Sequence, residues 1–245
     1  MPYCRCHYHH NPDDDLRRLQ RLALQTGDPS DQARYITARL RAGEISQSNI
    51  EIASELGHPA AQILIPCPVN WRNWDIKETV LKLINAQQCS LVVRIMAEYA
   101  QRALIVFETG YPEDVRPKLA VEAAIRWYQE PNGANAAAAA EASGAAEDAG
   151  NRTALRAVSY AASCAARAAA GAAKIAYLCM DRTDGRFSLA ENRLIGGITA
   201  SAADNAANAI AYSGTGVKRS PTTFDDECQW QSNFLAEVLL GLRSI

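Results

Sequence analysis

Two thiols and three imidazoles lie within the first ten residues of this 245-residue chain. Thiolate sulfur and imidazole nitrogen are the ligands that zinc and cuprous ions prefer in proteins. A structural zinc site usually draws its ligands from two separated places in the sequence, and one short cluster does not provide them. We therefore expect an irregular terminus without a cofactor, with zinc as the alternative at Cys4, Cys6, His7, His9 and His10.

Catalytic motifs are absent from the sequence. Nucleophilic catalysis needs a serine or cysteine beside a base, and His58, before Pro59, lies at a helix start where an imidazole commonly caps or packs. The chain has no Gly-x-Ser-x-Gly, phosphate-binding loop or His-Glu-x-x-His motif. Paired carboxylates occur at 113–114 and 225–227, but both lie at predicted helix starts, where acidic side chains favour the helix dipole. We expect a protein that is not an enzyme.

A polar stripe follows one face of a long alanine-rich segment. Its spacings of 4, 3, 4, 4 and 3 residues place the members on one side of a helix, and the members are Arg156, Tyr160, Ser163, Arg167, Gly171 and Lys174. Such a stripe could bind an acidic protein surface or an anionic small molecule, or it could be an ordinary solvated face. Asp204, Asn205 and Asn208 in the next segment could neutralise part of it.

Short helices are predicted between residues 14 and 64. Polar residues that cap helices alternate there with glycines that end them, at Gly27, Gly43 and Gly57. We expect Ser30 to cap the second helix and Ser46 the third. The segment 65–74 follows, with two prolines and two tryptophans, and we interpret it as a linker.

Three longer helices are predicted beyond the linker. The first starts at residue 75, the second spans about 89–108, and the third runs from 113 or 114 to about 130. Alanine dominates residues 134–211 and predicts three more, at about 134–149, 152–180 and 188–212, with a break at Gly150 and Asn151. Gly196 and Gly197 are expected to allow close helix packing. A last helix is expected over about 225–240.

The predicted fold class is all-α, since no run of alternating apolar residues indicates a strand. We expect an irregular terminus over residues 1–13, a helical hairpin array over 14–64, a linker over 65–74 and an alanine-rich helical domain over 75–245. The last is expected to be a multi-helix bundle or an α-α superhelix, closely packed because alanine lets helices approach each other.

Charge and hydropathy exclude several classes of protein. The 25 basic and 27 acidic side chains give a net charge of −2, so no basic face for nucleic acid is predicted. No stretch approaches the ~20 apolar residues of a membrane span, and the first residues lack the apolar core of a signal peptide. We expect a soluble cytoplasmic protein with no membrane partner, whose seven cysteines are reduced. The oligomeric state is not predicted.

Several motifs resemble the all-α immunity-protein domain of bacterial polymorphic toxin systems. In the first half they are GDP at 27–29, LRAGEIS at 40–46 and ASELGHPAA at 53–61. In the second half they are YPED at 111–114, RP at 116–117 with EAA at 122–124 and Trp127, and ECQWQ at 227–231. The resemblance covers residues 14–245. The family's alanine-rich helices often carry histidines, which this chain lacks after His58.

The resemblance implies a non-enzymatic, toxin-neutralising protein that occludes a toxin-like protein partner. Such interfaces typically bury ~1,600 Å² and rely on aromatic and arginine anchors. The candidate anchors here are Arg116, Trp127 (also a candidate core residue), Arg156, Tyr160, Arg167 and Lys174. The alternative is a protein that senses or sequesters an anionic small molecule in a pocket between the alanine-rich helices.

Overall fold

A computed structural model describes residues 12–68, 79–80, 82–83, 88–154, 160–180, 188–213 and 221–243. Within these ranges the chain forms ten helices with defined ends and no strand, so the predicted all-α fold is confirmed. Among the described helices, none combines the length and the apolarity that crossing a bilayer requires. The predicted Cys/His cluster and the linker tryptophans Trp71 and Trp74 lie outside the described residues.

The chain divides into two compact units. The first comprises Met1–Trp71 together with Ser232–Ile245, and the second comprises Arg72–Gln231. The change of unit at residue 71 falls within the predicted linker. The predicted domain over 75–245, in contrast, is shared between the units, because its last residues belong to the first one.

Four short helices form most of the first unit: α1 (Pro12–Thr26), α2 (Pro29–Ala42), α3 (Gln47–Glu55) and α4 (Pro59–Leu64). Ser46 caps α3 as predicted, since its hydroxyl accepts a hydrogen bond from the Asn49 N–H. The predicted cap at Ser30 is wrong. Asp28 caps α2 instead, because Pro29 is suited to the first helical position and the Asp28 carboxylate accepts from the Ser30 N–H.

The C-terminal residues of the first unit are held by side chains of α2 and α3. The Asn49 Nδ2 donates to the Leu239 carbonyl at 3.2 Å, and the Arg39 Nη1 donates to the Leu240 carbonyl at 3.0 Å. Carbonyls at the end of a helix lack partners within the helix, so these two bonds satisfy groups that would otherwise need water. They link this segment to the N-terminal helices.

The second unit contains α5 (Cys89–Gly110), α6 (Arg116–Gln129), α7 (Gly133–Ala154), α8 (Tyr160–Met180), α9 (Leu189–Ser213) and the part of α10 (Pro221–Leu239) up to Gln231. Helix α8 packs against α5, α6, α7 and α9. The predicted break at Gly150 and Asn151 is wrong, because both residues lie inside α7. One glycine costs a helix only about 1 kcal/mol, which the packing of the buried Gly150 outweighs.

Alanine supplies much of the contact surface between the helices of the second unit. Ala139 and Ala146 of α7, Ala172 and Ala173 of α8 and Ala206 of α9 are completely buried. The close approach is clearest at Gly171 of α8, where an added β-carbon would lie 2.7 Å from the Cβ of Ala202 in α9. Contacts this short leave no room for a side chain at residue 171.

Candidate functional site

A groove of about 370 Å³ lies between α7, α8 and α9 of the second unit. Helix α8 lines it with Arg167, Ala170, Gly171 and Lys174, helix α9 with Arg193, Leu194, Gly197, Ile198, Ser201, Ala202 and Asn205, and helix α7 with Ser143 and Glu147. We call this feature the cationic groove. It joins side chains from three consecutive helices.

Helical spacing explains why these side chains meet. Positions 167, 171 and 174 of α8 recur every three or four residues, and positions 193, 197, 201 and 205 of α9 recur every four. Each set therefore follows one face of its helix. The contact between Gly171 and Ala202 brings the two faces together along the floor of the groove.

Positive charge is in excess in the cationic groove. Arg167, Lys174 and Arg193 line it together with a single carboxylate, Glu147. The half-buried Arg167 donates from Nη2 to the Asn151 Oδ1 at 3.2 Å, whereas the exposed Lys174 and Arg193 form no ion pair with any described residue. Cations that have no protein partner are available to an anionic ligand.

The floor of the groove is apolar, and its α9 side is open. Ala170 and Ala202 are buried, and Leu194 at the edge is 50% exposed. A β-carbon added at Gly197 would meet nothing within 4 Å. Of the two glycines predicted to serve close packing, Gly196 is buried, but the prediction is wrong for Gly197, which faces open space. Gly171 is the glycine of the groove that needs to be small.

Arg116 does not offer a free charge to a partner. Its Nε donates to the Asp114 Oδ1 at 2.8 Å, and its Nη2 donates to the other oxygen of the same carboxylate. Chiefly because Arg116 donates these hydrogen bonds, the pKa of Asp114 is lowered. The predicted anchor is thus half of an ion pair within the chain.

Trp127 lies in the core of the second unit and is 4% exposed. A side chain enclosed in this way cannot contact a partner without local unfolding, so we remove Trp127 from the predicted anchors. Tyr160 is the first residue of α8, and Arg156 lies outside the described residues, as do Cys4, Cys6, His7, His9 and His10. Of the six predicted anchors, Arg167 and Lys174 lie together in the cationic groove.

Arg193 is a member of the groove that the sequence analysis missed. A signal for it existed, because Arg193, Gly197, Ser201 and Asn205 follow each other at intervals of four, as a second stripe on α9. Asn205 was expected to neutralise the first stripe, and it does line the groove. A neutral amide, however, removes no charge.

Two of the other titratable candidates, His58 and Glu227, are buried. His58 is buried at the start of α4, and burial lowers its pKa to about 4, so it is neutral at pH 7. Glu227 is buried and bonded to Arg102, whereas Asp225 and Asp226 are exposed. In the part of the chain that the structure describes, no three His, Cys, Asp or Glu side chains are grouped so that they could hold a metal ion.

Comparison with known proteins does not assign the chain to a family. No protein-family model matches the chain, and no match was found among the curated proteins or the solved structures.

Proposed function

We propose that this chain is a non-enzymatic binding protein that occludes a partner protein, and that the cationic groove receives an acidic segment of that partner. The observation that carries the proposal is the convergence of Arg167, Lys174 and Arg193 on one groove from two helices. The resemblance to immunity proteins supports the same partner-occluding function, with a toxin-like partner in the cytoplasm.

The chemistry of the groove favours an acidic protein segment. Lys174 and Arg193 are exposed and have no ion-pair partner among the described residues, so binding a carboxylate breaks no existing pair. Leu194 beside them is 50% exposed and offers apolar contact to the same segment. Complementary charge mainly speeds association and selects partners, so binding should weaken as salt is added.

An affinity capture experiment with matched variants tests the proposal. The tagged chain, its Lys174→Gln/Arg193→Gln variant and a Lys118→Gln/Arg126→Gln control are incubated with lysate from the source organism. Each variant loses one lysine and one arginine, and Lys118 and Arg126 are exposed residues of α6 that do not line the groove.

The proposal predicts one protein that is captured by the wild type and by the control but is lost from the groove variant. Capture of the same protein by all three chains would place the binding surface elsewhere. Failure of the wild type to capture any protein would reject the partner-occluding function.

A second candidate function is the binding of an anionic small molecule. The volume of the groove, about 370 Å³, falls within the range of about 300–1,000 Å³ that is typical of ligand pockets. Native mass spectrometry of the purified chain tests this function. An anionic adduct that is absent from the Lys174→Gln/Arg193→Gln variant would support it, and an unliganded mass combined with capture of a protein would favour the first function.

A further inference from the structure

A second groove with positive charge lies in the first unit, between α1 and α2. Its volume is about 460 Å³, and its described lining consists of Arg18, Leu19, Arg21, Leu22 and Gln25 of α1 and Arg34 of α2. Three of these side chains carry a guanidinium group, and none of the described lining residues carries a carboxylate. We call this feature the arginine groove. It belongs to a different unit from the cationic groove and shares no described residue with it.

Helical spacing explains why the arginines share one groove. Arg18, Arg21 and Gln25 recur at intervals of three and four residues, so they follow one face of α1. Helix α2 packs against α1, and its Arg34 adds the third guanidinium group to the lining. The two leucines of the lining are half-buried and supply its apolar part.

The guanidinium groups of the arginine groove are only weakly matched by acidic side chains. Arg18 and Arg34 each lie 3.5 Å from one carboxylate on their own helix, and the two arginine side chains are 69% and 63% exposed. Exposed pairs of this kind contribute little, and each guanidinium group keeps further N–H donors for a second anion. Arg21 is exposed and forms no ion pair within the part of the chain that the structure describes. The groove therefore has unused donors for an anionic ligand.

We propose that the arginine groove binds the phosphoryl group of a small organic phosphate. Guanidinium groups bind phosphate oxygens through paired, charge-assisted hydrogen bonds. A phosphomonoester carries a charge of about −1.5 to −2 at pH 7, so it matches several guanidinium groups better than a single carboxylate does. The volume of the groove lies within the range of about 300–1,000 Å³ that is typical of small-molecule sites. The leucines offer apolar contact to the carbon part of the ligand. The proposal does not depend on what the cationic groove binds.

A titration of the full chain with two matched anions tests the proposal. The isotope-labelled chain is titrated at pH 7 with phenyl phosphate and with benzoate, and NMR follows the backbone amides of α1 and the Nε–H signals of Arg21 and Arg34. The two probes share a phenyl ring and differ in their anionic group. We expect phenyl phosphate to bind at least about fivefold more tightly than benzoate. Equal affinities of the two probes, or no change in the signals of Arg21 and Arg34, would overturn the proposal.

Two double variants locate the binding site. Arg21→Gln/Arg34→Gln removes one guanidinium group of the groove from each helix. Arg17→Gln/Arg41→Gln is the matched control, because it also removes one exposed arginine from each of α1 and α2, but none that lines the groove. Read from the backbone amides of α1, the groove variant should bind phenyl phosphate at least about tenfold more weakly than the wild type, and the control should bind normally. Equal affinity of the groove variant and the wild type, or an equal loss in the control, would overturn the proposal.

A third variant separates this site from the cationic groove. Lys174→Gln/Arg193→Gln should leave the response of the α1 amides to phenyl phosphate unchanged, since neither residue lines the arginine groove. A loss of the response in this variant would overturn the proposal, whereas the same variant losing its protein partner would bear only on the cationic groove.

Discussion

Two clusters of charged side chains in the second unit differ in how their charges are matched. In the first group the Arg102 Nε donates to the buried Glu227 Oε2 at 2.8 Å, and the guanidinium carbon lies 4.3 Å from the centre of the Trp230 ring. In the cationic groove, in contrast, Lys174 and Arg193 have no ion-pair partner among the described residues.

This difference separates charges that serve the fold from charges that are free to serve a ligand. A buried carboxylate needs a partner, since leaving it alone in the interior is costly. Exposed cations need none, because water solvates them. The Arg102–Glu227 ion pair should therefore contribute to the stability of the fold, and the cationic groove should contribute to binding. Four predictions test or extend this distinction.

The largest effect on stability is expected at Arg102. Arg102→Met leaves the carboxylate of Glu227, whose side chain is 1% exposed, without its cation. Because Arg102 itself is 46% exposed and water can partly replace it, we expect a loss of about 2–3 kcal/mol at pH 7, below the full cost of breaking a buried pair. Urea unfolding measures this loss. Lys174→Met is the matched control and should change the free energy of unfolding by less than about 0.5 kcal/mol. Equal losses in the two variants would refute the distinction.

Gly171→Ala is expected to have the next largest effect. The added methyl group would lie 2.7 Å from the Cβ of Ala202, so α8 and α9 must move apart. Overpacking of this kind typically costs about 1–3 kcal/mol. A shift of the urea midpoint to lower concentration, with an unchanged slope, is the expected result. A variant as stable as the wild type would show that separating the two helices costs no more than the gain of about 0.8–1 kcal/mol that alanine brings as a better helix former.

The raised pKa of Glu227 should make the free energy of unfolding depend on pH. This pKa is raised, because burial outweighs the opposing effect of Arg102. The folded state therefore holds this proton more tightly than the unfolded state, and the contribution of Glu227 to stability falls as the pH rises above the unfolded value of about 4.5. Each unit of such a pKa shift corresponds to about 1.4 kcal/mol. Unfolding of the wild type and of Glu227→Gln is compared from pH 4 to pH 7, and parallel curves would contradict the assignment.

The smallest effect, a gain in stability, is expected at Gly197. Its added β-carbon meets nothing within 4 Å, and the same holds for Gly144 of α7. Alanine is a better helix former than glycine by about 0.8–1 kcal/mol, so Gly197→Ala and Gly144→Ala should both raise the free energy of unfolding by up to that amount. Thermal unfolding measures both variants. A loss of stability in Gly197→Ala alone would show that the groove is closed in solution.

The sequence predicted the elements of the fold better than their ends. Cap and glycine signals are local, so Ser46 and Gly43 were placed correctly from the chain alone. The extension of α7 through Gly150 depends on tertiary packing, which local propensity does not contain. Ser232–Ile245 belongs to the first unit through contacts distant in the sequence, such as the hydrogen bonds from Arg39 and Asn49 across about 190–200 positions, which no local pattern encodes.

One wall of the cationic groove, on α8, was predictable because helical periodicity is a local signal. The periodicity of α8 placed Arg167 and Lys174 on one face, but the partner wall required the register between α8 and α9. Alanine occurs on several faces of both helices, so the sequence does not show which face of α9 meets the stripe. The contact of Gly171 with Ala202 settles that register and brings Arg193 to the groove.

The most direct test of the groove is the dissociation constant of the captured partner for the wild type and for Gly197→Phe, measured by titration calorimetry. The phenyl group would fill the open α9 side of the groove without changing any charge, and Gly144→Phe is the matched control outside the groove. If the groove receives the partner, Gly197→Phe should weaken binding about 30-fold or more, equivalent to about 2 kcal/mol, and the control should bind normally. Equal affinity of the wild type and Gly197→Phe would contradict the proposed role of the groove.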